Sequence, residues 1–311
     1  MHKFTLLTAT YNREKTIRRL YESLQKQTYK DFLWLIIDDG STDQTSTIIN
    51  SFILEGLLDI EYHYKENGGK HTTFLYATKY LKSDFVIIMD DDDELVSNCL
   101  EVFANEWDKI VEEGKNNIGS LRALCKDLNG NICGNYNPKT DVGTLDSNYL
   151  EMNWARGKHM ENITCWRTDV FTLPGLFNDE GKWLYDKVKA VYESVYWNRT
   201  ARLYDTRYIY VPLRIYHTES ENSLTNSIFN RQKCYNYVFT NYVLLNEQKE
   251  YNLKNPYLLL KTLGQYWSCA FALHLPFMKT FRTLNSFLLR FVSVFLFIPA
   301  VVVAVRIRRD F

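Results

Sequence analysis

The sequence predicts an α/β fold with a mostly parallel central sheet, followed by a helical C-terminal extension. Three observations carry this. Apolar runs of strand length alternate with segments of helical spacing over the first 110 residues, two acidic clusters each follow an apolar run directly, and beyond about residue 227 only helical spacing remains.

The first run, FTLLTAT (Phe4 to Thr10), has the continuous apolar character of a strand covered on both faces. Ile17, Leu20, Tyr21 and Leu24 then recur at i, i+3, i+4 and i+7, the stripe of an amphipathic helix. LWLIID (Leu33 to Asp38) is a second strand. Asp39-Gly40 makes a turn, and Ser41-Thr42-Asp43-Gln44 fits a capping box that opens a helix through Phe52. IEYHY (Ile60 to Tyr64) alternates as a third strand, Asn67-Gly68-Gly69 breaks it, and a shorter helix runs to about Leu81. FVIIM (Phe85 to Met89) is the fourth, and Val96, Leu100, Phe103, Trp107 and Ile110 mark another helix. Strands alternating with helices of this length imply parallel pairing through right-handed crossovers. Both acidic clusters, Asp38-Asp39 and Asp90 to Asp93, therefore belong at the carboxyl edge of the sheet, where open α/β folds bind nucleotides.

Composition narrows the function. The 311 residues are 46% hydrophobic, ample for a core, while 37 basic and 37 acidic residues cancel. No overall positive field recruits nucleic acid. Six cysteines without a C-x-x-C pair argue against a zinc knuckle or redox motif and read as reduced, buried thiols of a cytoplasmic protein. The opening MHKFTLLTATYNRE has no long apolar h-region, so no secretion signal is expected.

An acidic quartet by itself fits a solvated loop before a helix. Abutting a buried strand, however, adjacent carboxylates raise one another's pKa unless a cation neutralises them, and hard oxygen ligands suit Mg²⁺ or Mn²⁺. A nucleotide diphosphate sharing such a metal would complete the charge balance.

Four motifs stand in order: TATYNR (Thr8 to Arg13), LIIDDGSTDQT (Leu35 to Thr45), ENGGKHT (Glu66 to Thr72) and IIMDDDDEL (Ile87 to Leu95). Through them the chain resembles glycosyltransferase family 2, inverting enzymes of the Rossmann-like GT-A fold, closely over residues 1–120 and loosely to about 225. The resemblance implies a GT-A domain over 1–226, with a nucleotide-sugar half (1–120) and an acceptor half (121–226), then a helical extension over 227–311. It also implies that Asp39 hydrogen-bonds the nucleobase, that Tyr11 lies against it, and that Lys70 sits near the nucleotide. Asp90 and Asp92 fit the family's D-x-D pattern, Asp92 as direct metal ligand and Asp90 or Asp91 reaching the ribose, with the register open by one residue. Asp39 as a turn residue and Lys70 as a solvated lysine remain alternatives.

For the second half, the resemblance of Tyr192–His217 to a family segment makes Glu193 the candidate general base, with Asp186 in reserve. His217 is a candidate for completing the metal shell. Trp166, Arg167 and Trp183 are candidate acceptor contacts, against a background of seven tryptophans and 22 tyrosines that makes core packing the default. In the tail, FVSVFLFIPAVVVAV (Phe291 to Val305) is uncharged but only fifteen residues long, and extending it back to Leu284 takes in Arg290. Pro299 interrupts it, and basic residues flank both ends. The pattern suits an interfacial or re-entrant membrane-associating segment over 284–305.

The function the resemblance implies is a metal-dependent inverting transfer of a single sugar, from a UDP-sugar since uridine is commonest in the family, to a saccharide or polyprenyl-linked acceptor. It would take place at the inner face of the cell membrane. The absence of an Arg-Trp pair argues against a processive synthase. The alternatives are a nucleotidyltransferase acting on sugar phosphates, disfavoured because TATYNRE lacks a glycine, and a non-catalytic membrane-tethered binding protein, disfavoured because all four aspartates are present.

Overall fold

Four apolar runs become parallel strands because each is followed by a helix long enough to return the chain to the starting edge. In the computed structural model, which describes residues 2–152, 161–217, 230–248 and 254–310, these are β1 (Phe4–Thr10), β2 (Phe32–Asp38), β3 (Ile60–Tyr64) and β4 (Phe85–Ile88). Thr10 pairs with Asp38 and Asp38 with Tyr64, so the three carboxyl ends are level. β4 joins the other side of β1, with Leu7 opposite Ile88.

Helix α1 (Ile17–Gln25) buries the four residues of its predicted stripe, and α2 (Thr45–Glu55) packs beside it. Tyr21 stacks on Phe52 at 3.9 Å between ring centroids and on Trp34 of β2 at 6.2 Å. The expected capping box does not form. Ser41 is diverted to accept from the Asn12 amide, and Asp43 accepts instead from the Thr45 amide at 3.0 Å and hydroxyl at 2.6 Å. Helix α3 (Lys70–Ala77) stops short of Leu81. Helix α4 (Cys99–Glu112) begins three residues after Val96, because Glu94–Leu95 form a short strand, β5.

The remaining strands are β6 (Ile118–Lys126), β7 (Thr144–Ser147), β8 (Asn162–Arg167) and β9 (Asp205–Ile215). Among the described residues the sheet runs β3-β2-β1-β4-β8-β6-β9-β5, with β7 also on β9. β8 enters antiparallel between β4 and β6, which makes this half mixed. One face of the sheet packs against α1, α2 and α4 through Leu6, Trp34, Ile36, Ile87 and Trp107. On the same unit, Phe74 of α3 meets Phe171 and Phe177, Phe171 lying in the short helix α5 (Thr168–Phe171).

Contacts divide the chain into two compact units, the first holding described residues 2–152, 161–177 and 199–217. The second holds 178–198 with the C-terminal helices, so Trp183, Asp186 and Glu193 are grouped with those helices. Helix α6 (Ser194–Thr200) begins at the end of that stretch. Helices α7 (Arg231–Glu247) and α8 (Pro256–Ala272) are each capped by an asparagine whose side chain accepts from the third amide on: Asn230 from Lys233 and Asn255 from Leu258. After α9 (Phe277–Arg282) comes α10 (Phe287–Ile307), one continuous helix through Pro299 and Arg290. It buries Leu289, Ser293, Ala300 and Ala304, spaced along one face, with Trp267 of α8 donating to Ser293 Oγ at 2.8 Å. Arg308 closes the end of α8 by donating to the Phe271 and Ala272 carbonyls.

Gly40, in the turn after β2, is a glycine that both backbone conformation and close packing require. It has φ of +86°, and a Cβ there would stand 2.8 Å from the Asn67 amide nitrogen. Gly56, at φ +65°, has nothing within 4 Å. Gly56→Ala should cost only the left-handed term, about 1 kcal/mol, while Gly40→Ala adds a backbone clash. In thermal unfolding Gly40→Ala should melt several degrees below Gly56→Ala; equal melting temperatures would show that the 65–69 loop does not press on Gly40.

Candidate active site

The carboxyl edge of the sheet gathers the loops after β1, β2, β3 and β4. The first two are stitched together by reciprocal hydrogen bonds. The Asn12 amide donates to Ser41 Oγ at 2.9 Å, the Thr42 amide returns to Asn12 Oδ1 at 2.8 Å, and the Arg13 amide reaches Thr45 Oγ1 at 2.7 Å. Asn12 adopts φ of +53°, a left-handed conformation that asparagine tolerates better than most residues. The ring of Tyr11, next to it, is 45% exposed.

The two aspartates ending β2 take different work. Asp38 is buried and accepts from the Ser41 amide at 2.7 Å and from the Tyr62 hydroxyl at 2.8 Å; burial first, and then this carboxylate, push the Tyr62 phenol well above its ordinary pKa. Asp39 organises the third loop, accepting from Lys65 Nζ at 2.5 Å, the Gly68 amide at 3.0 Å and the Gly69 amide at 2.7 Å. A carboxylate has about four acceptor directions, and among the described residues three of them are occupied.

The aspartate quartet forms a tight turn between β4 and β5, and the chain supplies most of its counter-charge. Lys70, the first residue of α3, donates to Asp90 Oδ1 at 2.6 Å. Arg214 of β9 donates to Asp90 Oδ2 at 2.6 Å and to Asp93 Oδ2 at 2.6 Å, and Arg13 Nε donates to Asp91 Oδ1 at 2.9 Å. Burial would push Asp90 up, but Lys70 and Arg214 hold its carboxyl well below the usual range. Burial pushes Asp91 up to about 6 against the pull of Arg13, and Asp93 up to about 6 against the pull of Arg214. Among the described residues the Asp92 carboxylate makes no hydrogen bond or ion pair; its carbonyl accepts from Arg19 at 2.8 Å. Arg13, Lys70 and Arg214 thus pair with Asp91, Asp90 and Asp93, and a fourth cation, Arg19, holds the backbone of Asp92 rather than its carboxylate.

Tyr11, Asp39, Lys70, Asp90, Asp91 and Asp92 are therefore brought to one edge. His217 joins them through its amide, which donates to Asp93 Oδ1 at 2.8 Å, while its Nε2 lies 2.9 Å from Glu94 Oε1. Trp166 and Arg167 are not brought there. β8 runs antiparallel to β4, so Trp166 lies opposite Val86 and Arg167 opposite Phe85, toward the amino edge. Trp166 is 3% exposed, and Arg167 pairs with Asp169. In the second unit, Glu193 opens α6, its carbonyl accepting from the Tyr196 amide at 2.9 Å and the Trp197 amide at 3.1 Å. Asp186 is exposed on a single turn, and Trp183 packs edge-on against Tyr242 at 5.7 Å.

Arg13, Lys65 and Arg214 were not anticipated. The available signal was a cation inside an otherwise apolar strand, Leu213-Arg214-Ile215, which demands a buried carboxylate somewhere in the fold. Among the described residues no three His, Cys, Asp or Glu side chains converge as a ready cage for a metal. The donor set still fits Mg²⁺ or Mn²⁺, which take one or two carboxylates and fill the remaining positions with water and phosphate oxygens.

Comparison with known proteins bears on the family and the fold. The sequence profile described as glycosyl transferase family 2 matches residues 5–114. A Campylobacter jejuni GalNAc(5)-diNAcBac-PP-undecaprenol beta-1,3-glucosyltransferase is 30% identical over 114 residues, 34% of this chain and 36% of that protein. The Escherichia coli UDP-Glc:alpha-D-GlcNAc-diphosphoundecaprenol beta-1,3-glucosyltransferase WfgD is 31% identical over 129 residues, 41% of this chain and 47% of that one. The matched regions span between about a third and a half of these two curated relatives. Among solved structures, Staphylococcus aureus TarS 1-349 with UDP-GlcNAc superposes with a TM-score of 0.60 at 18% identity, covering 99% of this chain and 90% of that one. The Pyrobaculum calidifontis mannosyltransferase PcManGT with GDP-Man and Mn²⁺ gives 0.54 at 15% identity, covering 99% and 87%. At these identities the likeness establishes a shared fold, the GT-A architecture.

The quartet has a pH signature. With Asp91 at about 6 in the folded state and at its ordinary 3.8 when unfolded, the folded protein alone takes up this proton between the two values, so this group's contribution to stability falls as pH rises through that window. Asp91→Asn mimics the protonated carboxyl. Its melting temperature relative to wild type should therefore rise between pH 4.5 and 7; a difference independent of pH would refute the raised carboxyl.

Proposed function

Residues 5–114 of this chain belong to glycosyl transferase family 2, and from that premise we propose that the protein transfers one sugar from a nucleotide-diphosphate donor to a glycan or lipid-linked acceptor. The observation that carries the reading is the aspartate turn, beside Tyr11 and Asp39, with the Asp92 carboxylate left uncommitted among basic neighbours. Relatives named for UDP-glucose and undecaprenol-diphosphate acceptors, and the TarS complex with UDP-GlcNAc, support a UDP-sugar and a lipid-linked glycan.

In this reading Tyr11 lies against the nucleobase and the remaining acceptor direction of Asp39 takes a base N–H. Asp90 or Asp91 reaches the ribose. Asp92, with Asp90, would hold a divalent cation, which when bound neutralises the departing diphosphate. Lys70 adds positive charge on the same side. The acceptor hydroxyl attacks the anomeric carbon from the face opposite the diphosphate and Glu193 takes its proton, so the new C–O bond forms with inversion as the old one breaks. His217 orients the Asp93–Glu94 stretch. A nucleotidyltransferase reading gains nothing from the structure, since the loop after β1 contains no glycine to cradle phosphate.

We assign α10 to the membrane surface. It is 21 residues long, and over its most apolar 18 residues the mean hydropathy is 2.6 with only 22% of that stretch buried. Phe291, Phe295, Ile298 and Val302 face outward, the opposite side is committed to the second unit's core, and basic residues stand at both ends. A helix held along one side in this way suits the headgroup boundary, where Lys279, Arg282, Arg290, Arg306, Arg308 and Arg309 meet anionic lipid.

Calorimetric titration with UDP, GDP and dTDP, each with Mn²⁺ and with chelator, tests the donor site. Wild type should bind one nucleotide in a metal-dependent way, Asp92→Ala should lose the metal dependence, and Glu193→Gln should bind donor normally yet transfer on the order of a hundredfold more slowly. Undiminished turnover in the glutamine variant would remove Glu193 from the mechanism. For the membrane assignment, Phe295→Asp combined with Ile298→Asp leaves the buried seam intact. It should abolish co-sedimentation with phosphatidylglycerol-containing vesicles, and retained sedimentation would sink the assignment.

A further inference from the structure

Arg214 does more than balance charge. The quartet is a tight turn whose first and last members, Asp90 and Asp93, both direct a carboxylate oxygen at the same guanidinium, Asp90 to one terminal nitrogen at 2.6 Å and Asp93 to Nε at 2.6 Å. Arg214 is itself fixed, since β9 is hydrogen-bonded on both sides, with Leu95 of β5 opposite Arg214 on one flank and Cys125 of β6 opposite it on the other. The second oxygen of Asp93 is taken by the His217 amide, and the Asp92 carbonyl by Arg19. A planar fork tied to positions i and i+3 of a turn fixes its width and twist, which a point-charge lysine in the same place does not. The two middle residues are thereby sorted, Asp91 turning inward to Arg13 and Asp92 keeping its carboxylate uncommitted.

We propose that Arg214 is a positioning residue that clamps the aspartate turn and so sets the presentation of Asp92 to the donor's diphosphate and its cation. This rests on the transferase reading. The clamp acts through Asp90 and Asp93 and touches no substrate, so its removal should weaken the metal-dependent part of donor binding and spare the part owed to Tyr11 and Asp39.

Removing Arg214 alone strands the buried Asp93 carboxylate and endangers folding, so the informative variant is Arg214→Met with Asp93→Asn, in which the asparagine oxygen still accepts from His217. Two readouts on the full chain decide. In hydrogen exchange, the peptide covering residues 90–95 should exchange at least tenfold faster while β1 and β2 keep their protection. In calorimetry, UDP affinity with chelator should stay within twofold of wild type, while the gain conferred by Mn²⁺ should fall at least tenfold. Arg214→Lys should restore folding but no more than part of that gain. A folded double variant that keeps the full Mn²⁺ gain or the original exchange protection would overturn the clamp. A wild-type protein that binds none of the three nucleotides would overturn the transferase reading instead, and the exchange experiment would then decide the clamp by itself.

Discussion

Four adjacent carboxylates at the end of a buried strand are the constraint around which the rest of the first unit is arranged. Repulsion and lost hydration would protonate or expel such a cluster, so the fold supplies cations from three distant places: the loop after β1, the first turn of α3 and the last strand of the sheet. Each reaches the turn only if its own element is correctly placed. The mixed half of the sheet thereby completes the charge compensation of the parallel half, because Arg214 arrives with β9. The compensation passes over one carboxylate: Asp92 is held through its backbone by Arg19, and among the described residues its side chain has no hydrogen-bond or ion-pair partner.

What the sequence revealed and what it hid divide along separation in the chain. The strands β1 to β4, the stripe of α1 and the location of both acidic clusters rest on local periodicity, and the structure has them within a few residues. Asp43 and Ser41 show where local reasoning fails: the S-T-D-Q pattern fits a capping box, but the Asn12 amide competes for the serine and wins. The partners of the aspartates were still less legible. Arg214 stands 121 residues from Asp93, and no periodicity links them. The sequence pointed to a cation beside the quartet but held no local sign that the chain itself brings Arg13, Lys70 and Arg214 to it. The antiparallel insertion of β8 likewise left no local mark, and it alone explains why Trp166 and Arg167 lie away from the aspartate edge.

The second unit illustrates a different economy. Helix α10 is a wall of the core along Leu289, Ser293, Ala300 and Ala304 and an apolar surface elsewhere, and the small residues of that seam allow α8 to approach closely. Because one side is already bound to protein, association with lipid requires no refolding of the helix and no exposure of Trp267.

The stitching between the loops after β1 and β2 has a consequence for substitution in either. Asn12, Ser41 and Thr42 exchange donors and acceptors, and Arg13 depends on Thr45, so neither loop holds its shape without the other. The pair behaves as one structural unit: a substitution in residues 11–14 is felt in residues 41–45, and a chimera that exchanged one loop alone would keep half of a hydrogen-bonded circuit.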